Sequence, residues 1–270
     1  MHLPPYKTAI MGILNITPDS FSDGGIYYHN TELALRHTEV MIADGADIID
    51  LGGQSSRPGA DIIPPEEEID RILPILQELK DEIRVPISVD TFKPAVAKVA
   101  LENGASIIND ITGLTDPKMR YIVAEHKATA IIMHMKGDPK TMQECPTYDD
   151  VVAEIKEFFL RQIDAATADG ISDIILDPGI GFGKTVQHNL ELLRRLSEFT
   201  DLGFPLLVGA SRKSFIGHIT GLPVTNRLEG TLAANVVASL NGTSIVRVHD
   251  VRQTARALQI SDAIHYSQSE

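Results

Sequence analysis

The sequence predicts a (β/α)8 barrel, and three observations predict it. Eight short apolar runs recur along 270 residues, and each precedes a stretch with helical spacing. That order and length match a fold built of about 250 residues. The runs are near-continuous in Val, Ile and Leu, as strands buried on both faces are. Nearly every run ends in a polar residue just before an irregular loop. A doubly wound sheet of eight strands is the alternative with the same alternation.

Taken in order, Thr8 to Asn15 is the first strand, followed to Tyr28 by a turn-rich polar loop around a lone Phe21. Thr31 to Ala43 places Leu33, Leu35, Val40 and Met41 at helical spacing, with Gly45 as its stop. Asp47 to Gly52 is the second strand, and Gly53 to Ala60 its loop. A helix opens at Pro64-Pro65-Glu66-Glu67-Glu68, where Pro fits the first turn and acids suit the dipole. It runs to about Ile83 and is expected to kink at Pro74. Strands at Pro86–Thr91, Ala105–Asp110 and Thr129–His134 alternate with helices at Lys93–Glu102, Pro117–Glu125 and Tyr148–Ala168. Ile174–Asp177 and Pro205–Ser211 follow, separated by a helix over Gln187–Phe199. Leu222-Pro223 breaks the chain before a helix at Asn226–Leu240, strand Ser244–His249 and a last helix at Val251–Ala263. Neither a linker nor low complexity interrupts this, so residues 1–270 are expected to form one domain.

Composition narrows the function. A lone Cys145 excludes an internal disulfide and any multi-cysteine metal site, and it fits a reducing, cytoplasmic setting. Met1 to Lys7 has no signal-peptide pattern, and no run approaches a bilayer span. A net charge of −13 disfavours nucleic acid or an anionic membrane as partner.

The stretch Asp177-Pro178-Gly179-Ile180-Gly181-Phe182-Gly183-Lys184-Thr185 concentrates the chemistry. It is not a phosphate-binding loop, because Pro178 stands where that motif needs Gly, and Lys184 stands where a dinucleotide fingerprint needs its third Gly. What remains is a carboxylate at a strand end, a Gly loop and one aromatic. In a barrel all strands open their C-terminal ends on one face. Those ends are Asn15, Asp50, Asp90, Asn109, His134, Asp177, Ser211 with Lys213, and Arg247 with His249. Each alone is an ordinary cap; together they suit a flat heterocycle with donors and acceptors on its edge, plus an anionic group. Ligand spacings for a transition metal are missing.

Gly12-Ile13-Leu14-Asn15-Ile16-Thr17-Pro18-Asp19-Ser20-Phe21-Ser22-Asp23-Gly24 and Asp50-Leu51-Gly52-Gly53-Gln54-Ser55-Ser56-Arg57-Pro58-Gly59 resemble the two signatures of the dihydropteroate synthase family. Ser88 to Thr91, Ile108 to Asp110, Met133 to Met135, Asp177 to Phe182, Ser211 to Ser214 and Arg247 to His249 match that family's remaining motifs in order. Gln54 departs from a more usual Glu, and Ser56 from a frequent Thr.

The resemblance implies that 6-hydroxymethyl-7,8-dihydropterin pyrophosphate and p-aminobenzoate are joined to 7,8-dihydropteroate, with Mg²⁺ and pyrophosphate leaving first. It implies a pterin site of Asp90, Asn109, Asp177, Lys213 and Arg247, walled by Ile111 and Met133. It implies a pyrophosphate site of Asn15, Ser56, Arg57, Arg247 and His249, with Asn15 at the metal. Asp23 would support the pterin cation and the metal water, beside Asn15, Lys213, Arg247 and His249 as catalytic groups. Phe21, Arg57, Pro58, Phe182, Lys213 and Ser214 would hold the aminobenzoate. Arg57 is either catalytic or loop-ordering. The family is commonly homodimeric. Two rivals are a pterin-binding methyltransferase acting with a corrinoid, which has no use for Lys213 or the Arg247/His249 pair, and a non-catalytic pterin-binding module.

Overall fold

A computed structural model describes residues 7–17, 27, 30–55, 57 and 59–266. Its strands are β1 (Ala9–Asn15), β2 (Ile48–Gly52), β3 (Ile87–Asp90), β4 (Ile107–Asp110), β5 (Thr129–Met133), β6 (Ile174–Asp177), β7 (Leu207–Val208) and β8 (Ile245–Val248). All pair in parallel, in the order β6-β5-β4-β3-β2-β1-β8-β7. A parallel bridge between Leu176 and Leu206 brings the two ends of that order together. There the Leu176 N–H donates to the Pro205 carbonyl at 2.9 Å. The expected (β/α)8 barrel forms, with its seam at the two-residue β7.

The helices are α1 (Thr31–Ala43), α2 (Pro65–Glu82), α3 (Pro94–Glu102), α4 (Pro117–Glu125), α5 (Val151–Ala168), α6 (Val186–Arg194), α7 (Ser197–Thr200), α8 (Ser214–Thr220), α9 (Leu228–Leu240) and α10 (Val251–Tyr266). Helix α2 runs through Pro74 without interruption. The expected helix over Gln187–Phe199 is two pieces. A Thr185/His188 capping box starts α6, and Arg195 leaves helical geometry to reach Asp150, Glu191 and Glu198. Helix α8 starts at Ser214, its seven residues being too few to show a period, and Gly221 at φ 72° ends it.

Two apolar layers position the mouth of the barrel. The larger lies between helices and strands and includes Leu14, Leu51, Leu76, Phe159 and Phe199. The smaller fills the barrel axis with Ala9, Met11, Ile48, Ile107, Ile131, Ile175, Leu207 and Ile245. Strand side chains alternate faces, so positions two residues further on point into the same barrel. Those positions are Ile13, Asp50, Asn109, Met133, Asp177, Gly209 and Arg247, with Asp90 following Ser88 on β3. A dry floor therefore supports a polar layer.

Candidate active site

Arg247 is the hub of that layer. Its Nε donates to Asp50 Oδ2 at 2.5 Å and its Nη2 to Asp90 Oδ2 at 2.9 Å. Asn109 Nδ2 also reaches Asp50 Oδ2, at 3.3 Å. Asp50 Oδ1 and Asn109 Oδ1 are buried and have no protein hydrogen-bond partner. Burial pushes the Asp90 carboxyl up to about 7, opposed by the Arg247 guanidinium and reinforced by the Asp50 carboxylate. Four strands thus present a guanidinium, two carboxylates and an amide with acceptor atoms to spare.

On the other side of the mouth, Asp177 Oδ1 accepts the Gly179 N–H at 2.7 Å, which fixes the carboxylate plane. Burial raises the Asp177 pKa, and the Lys213 ammonium opposes the rise. Lys213 donates through Nζ to the Ile180 carbonyl and lies 4.5 Å from the centre of the Phe182 ring. Burial draws its pKa down to about 8, against the pull of Asp177. Arg212 sets this backbone: it sits at φ 55°, donates its N–H to Thr231 Oγ1 at 2.9 Å, and grips Asp250 at 2.9 and 2.6 Å. Ser214 then begins α8 beside the lysine.

The loop after β6 depends on glycine where it meets β5. At Gly179, φ is 68° and an added Cβ would lie 2.0 Å from the His134 carbonyl oxygen. Backbone cannot retreat as a flexible side chain can. Gly179→Ala is expected to destabilise the fold by at least about 2 kcal/mol, a melting loss of roughly 4–8 °C. Thermal melts within a degree of the parent would show that the loop relaxes freely.

His249 Nδ1 lies 3.0 Å from Ser211 Oγ, and that oxygen also accepts the His249 N–H at 3.3 Å. The hydroxyl proton is then free for Nδ1, which leaves the imidazole proton on Nε2. Burial and the charges of Arg247, Arg212, Arg57 and Lys213 push this imidazole down to about 3, so it is a neutral donor. Arg57 lies in the loop that follows β2. Asn15 is half-buried at the end of β1 and pairs in register with Gly52.

Of the expected site residues, Asp90, Asn109, Ile111, Met133, Asp177, Phe182, Lys213, Ser214, Arg247, His249, Asn15 and Arg57 lie at this one end of the barrel. Phe21, Asp23, Ser56 and Pro58 lie outside the described residues. His134 does not join them. Met133 continues the inward face of Ile131, so His134 turns outward, edge-on to Phe158 at 5.0 Å, and meets Lys184 Nζ at 3.0 Å. Asp50 carries more than a strand end implied, as the acceptor that orients Arg247. A lone carboxylate inside the run Ile48-Ile49-Asp50-Leu51 was the available signal.

The loop after β2 is tied at several points. Gln54 Oε1 accepts from Lys93 Nζ at 2.6 Å and from the Ile63 N–H at 3.0 Å, so an amide oxygen serves here. Gly59 N–H donates to Pro139 O at 3.0 Å, and Lys140 pairs with Asp61 at 3.0 Å. Gln143 Nε2 donates to the Gly181 carbonyl at 2.6 Å. The β5–α5 connection therefore braces both loops, a role without a sequence signal.

The family described as pterin binding enzyme matches residues 11–249. Dihydropteroate synthases of Synechocystis sp. and Escherichia coli are both 48% identical, over 96% and 94% of this chain and 90% of each relative. The chain belongs to the dihydropteroate synthases. Solved structures of that family superpose closely. The Yersinia pestis dihydropteroate synthase in a sulfonamide drug complex gives a TM-score of 0.95 at 43% identity, covering 100% of this chain and 98% of that one. The Thermus thermophilus dihydropteroate synthase in complex with 4-aminobenzoate gives 0.86 at 43% identity, covering 96% and 95%. As a member of the dihydropteroate synthase family the chain is a transferase. Among the described residues, no helix is long and apolar enough to cross a membrane.

Proposed function

We propose that the polar layer condenses dihydropterin pyrophosphate with p-aminobenzoate, pyrophosphate leaving before the amine attacks. The observation that carries this is the arrangement of Asp50, Asp90, Asn109, Asp177, Lys213 and Arg247 above a dry floor. Asp177 accepts the adjacent N–H and NH₂ of the pterin through two parallel hydrogen bonds. Asn109 and Asp90 meet the other ring nitrogens, Lys213 the ring carbonyl and N5, and Ile111 and Met133 the faces. The carbon–oxygen bond to pyrophosphate breaks with the electron pair going to oxygen. Charge on that leaving group is met by Arg247, Arg57, Ser56 and the neutral N–H of His249, which is the main electrostatic task. By the family resemblance, Asp23 would support the resulting cation. The aminobenzoate amine then forms the new carbon–nitrogen bond and releases a proton to solvent or to the departing pyrophosphate. Phe21, Pro58, Phe182 and the stem of Lys213 clamp its ring, and its carboxylate meets Ser214.

Magnesium fits this donor set in a limited way. Among the described residues no three His, Cys, Asp or Glu side chains gather into a metal site. A hard cation that keeps its waters and arrives with phosphate oxygens needs only one or two protein oxygens. Asn15 would hold it, and the ion would neutralise charge developing on pyrophosphate.

We place the protein in the cytoplasm as a homodimer formed through its outer helices. Adjacent α9 and α10 each leave two exposed apolar side chains, Val237 and Leu240 on one and Ile260 and Ile264 on the other. Light scattering giving a monomer mass would remove this part.

The direct test is to incubate the chain with dihydropterin pyrophosphate, Mg²⁺ and p-aminobenzoate and assay dihydropteroate; no product would overturn the reading. A pH profile follows from the same groups. Asp90 accepts hydrogen bonds best when ionised, so kcat/KM should rise as pH passes about 7. Lys213 serves as a cation, so kcat/KM should fall as pH passes about 8. A narrow bell between those limbs is expected. A flat profile across roughly pH 6 to 9 would mean neither group titrates in the free enzyme.

A further inference from the structure

We infer that Lys184 is a positioning residue for the aminobenzoate wall, acting through the backbone of Phe182. This rests on the reading of Phe182 as that wall. Lys184 is buried, although it follows a glycine loop that opens onto the barrel mouth. Its side chain folds back beneath that loop. Nζ donates to the Phe182 carbonyl at 2.9 Å and to the His134 carbonyl at 3.2 Å, and meets His134 Nδ1 at 3.0 Å. The one Nζ thus finds three partners, two on β5's end and one on the loop, although burial lowers its pKa against the pull of Asp177.

The loop needs such an anchor. Gly179, Gly181 and Gly183 sit at φ 68°, 84° and 63°, and glycines bring no side chain to hold the turn in place. From above, Lys213 takes the Ile180 carbonyl and covers the Phe182 ring. From the flank, Gln143 takes the Gly181 carbonyl and Tyr148 Oη donates to the Gly183 carbonyl at 2.8 Å. Lys184 is the group that takes the Phe182 carbonyl itself, and so fixes the height of the ring relative to the Lys213 stem. His134 completes the anchor. Its ring is wedged against Phe158, and burial together with Lys184 holds it neutral, so Nδ1 stays available to the lysine.

Lys184 bears on the pterin side through its charge, which lowers the Asp177 pKa, and through the loop that carries the Gly179 N–H and the Ile180 carbonyl, but the strands themselves place most pterin groups. Asp177 belongs to β6 and is held in register with Met133 on β5, while Asp90, Asn109 and Arg247 belong to other strands. Loss of the Lys184 amine should therefore separate the two substrates. A lysine that only stabilised the fold would not distinguish them.

The test uses the full chain with Lys184→Met, which keeps the stem and removes the donors. The KM for p-aminobenzoate is expected to rise about tenfold, the equivalent of one lost hydrogen bond in a buried site. Affinity for a non-reactive pterin analogue, measured by calorimetry, should stay within about threefold of the parent. Lys184→Gln, which keeps a shorter donor, is expected to lie between the two and serves if Lys184→Met does not fold. An unchanged aminobenzoate KM in Lys184→Gln and Lys184→Met overturns the inference, as does an equal loss for both substrates. Phe182→Ala is run beside them. If it raises the aminobenzoate KM while the Lys184 variants do not, only the Lys184 role fails. If Phe182→Ala leaves that KM unchanged, the wall reading fails and the Lys184 role with it.

Discussion

Asp177→Asn is expected to lower pterin affinity by at least about a hundredfold, roughly 3 kcal/mol, while the protein folds normally. The Gly179 N–H already points at Oδ1 from 2.7 Å. An amide therefore has two orientations, and both fail. With its oxygen toward Gly179, the NH₂ group faces a donor edge of the pterin. With its nitrogen toward Gly179, donor meets donor in the loop. One buried donor left unsatisfied costs about 1–3 kcal/mol, and a charge-assisted pair is lost as well. Folding should respond differently. Burial raises the Asp177 pKa against the pull of Lys213, so the ionised carboxylate is held at a cost near neutral pH. Replacing it with a neutral group of the same shape relieves that cost but takes the counter-charge from buried Lys213 and Lys184, so the melting temperature should fall less than in Arg247→Met. Calorimetry with a pterin analogue checks the first point; a loss smaller than about threefold would remove Asp177 from the ring edge.

Much of this was legible from residue order because a barrel converts chain position into place. Asp90, Asn109 and Asp177 each end an apolar run, Arg247 lies inside the last one, and the parallel register carries all of them to one rim. The face of each residue was less legible. His134 ends a run just as Asp177 does, yet the inward register belongs to Ile131 and Met133, and the ring is carried outside. Lys184 was visible as part of Gly183-Lys184-Thr185, but its side chain runs back under its own loop, which spacing cannot indicate. Helix α8 is too short to show a period, and at the break between α6 and α7 Arg195 pairs with its neighbours Glu191 and Glu198 and with the distant Asp150. The bracing of two loops by Pro139, Lys140 and Gln143 joins segments far apart in sequence, so nothing local announces it.

Arg247→Met should cost about 3–5 kcal/mol of stability near neutral pH, because it strips the cation from a buried carboxylate pair. Asp50 is fully buried, Asp90 nearly so, and Arg247 joins them at 2.5 and 2.9 Å. Methionine fills much of the volume, so packing accounts for little of the loss. The pH dependence separates charge from packing. Arg247 is the group that lowers the Asp90 pKa; without it the carboxyl rises beyond about 7. A carboxyl whose folded pKa lies above its unfolded value of 3.8 favours folding while protonated. That contribution is lost as pH climbs from the unfolded value through the folded one. The melting deficit of Arg247→Met should thus be large near pH 8, about 10 °C, and shrink towards pH 5. Adding Asp50→Asn should recover part of it by removing one of the two facing charges, with no return of activity, since the pyrophosphate side of the mouth still lacks its guanidinium. A deficit that stays constant with pH, and that Asp50→Asn does not reduce, would show that Arg247 matters to the fold through its bulk rather than its charge.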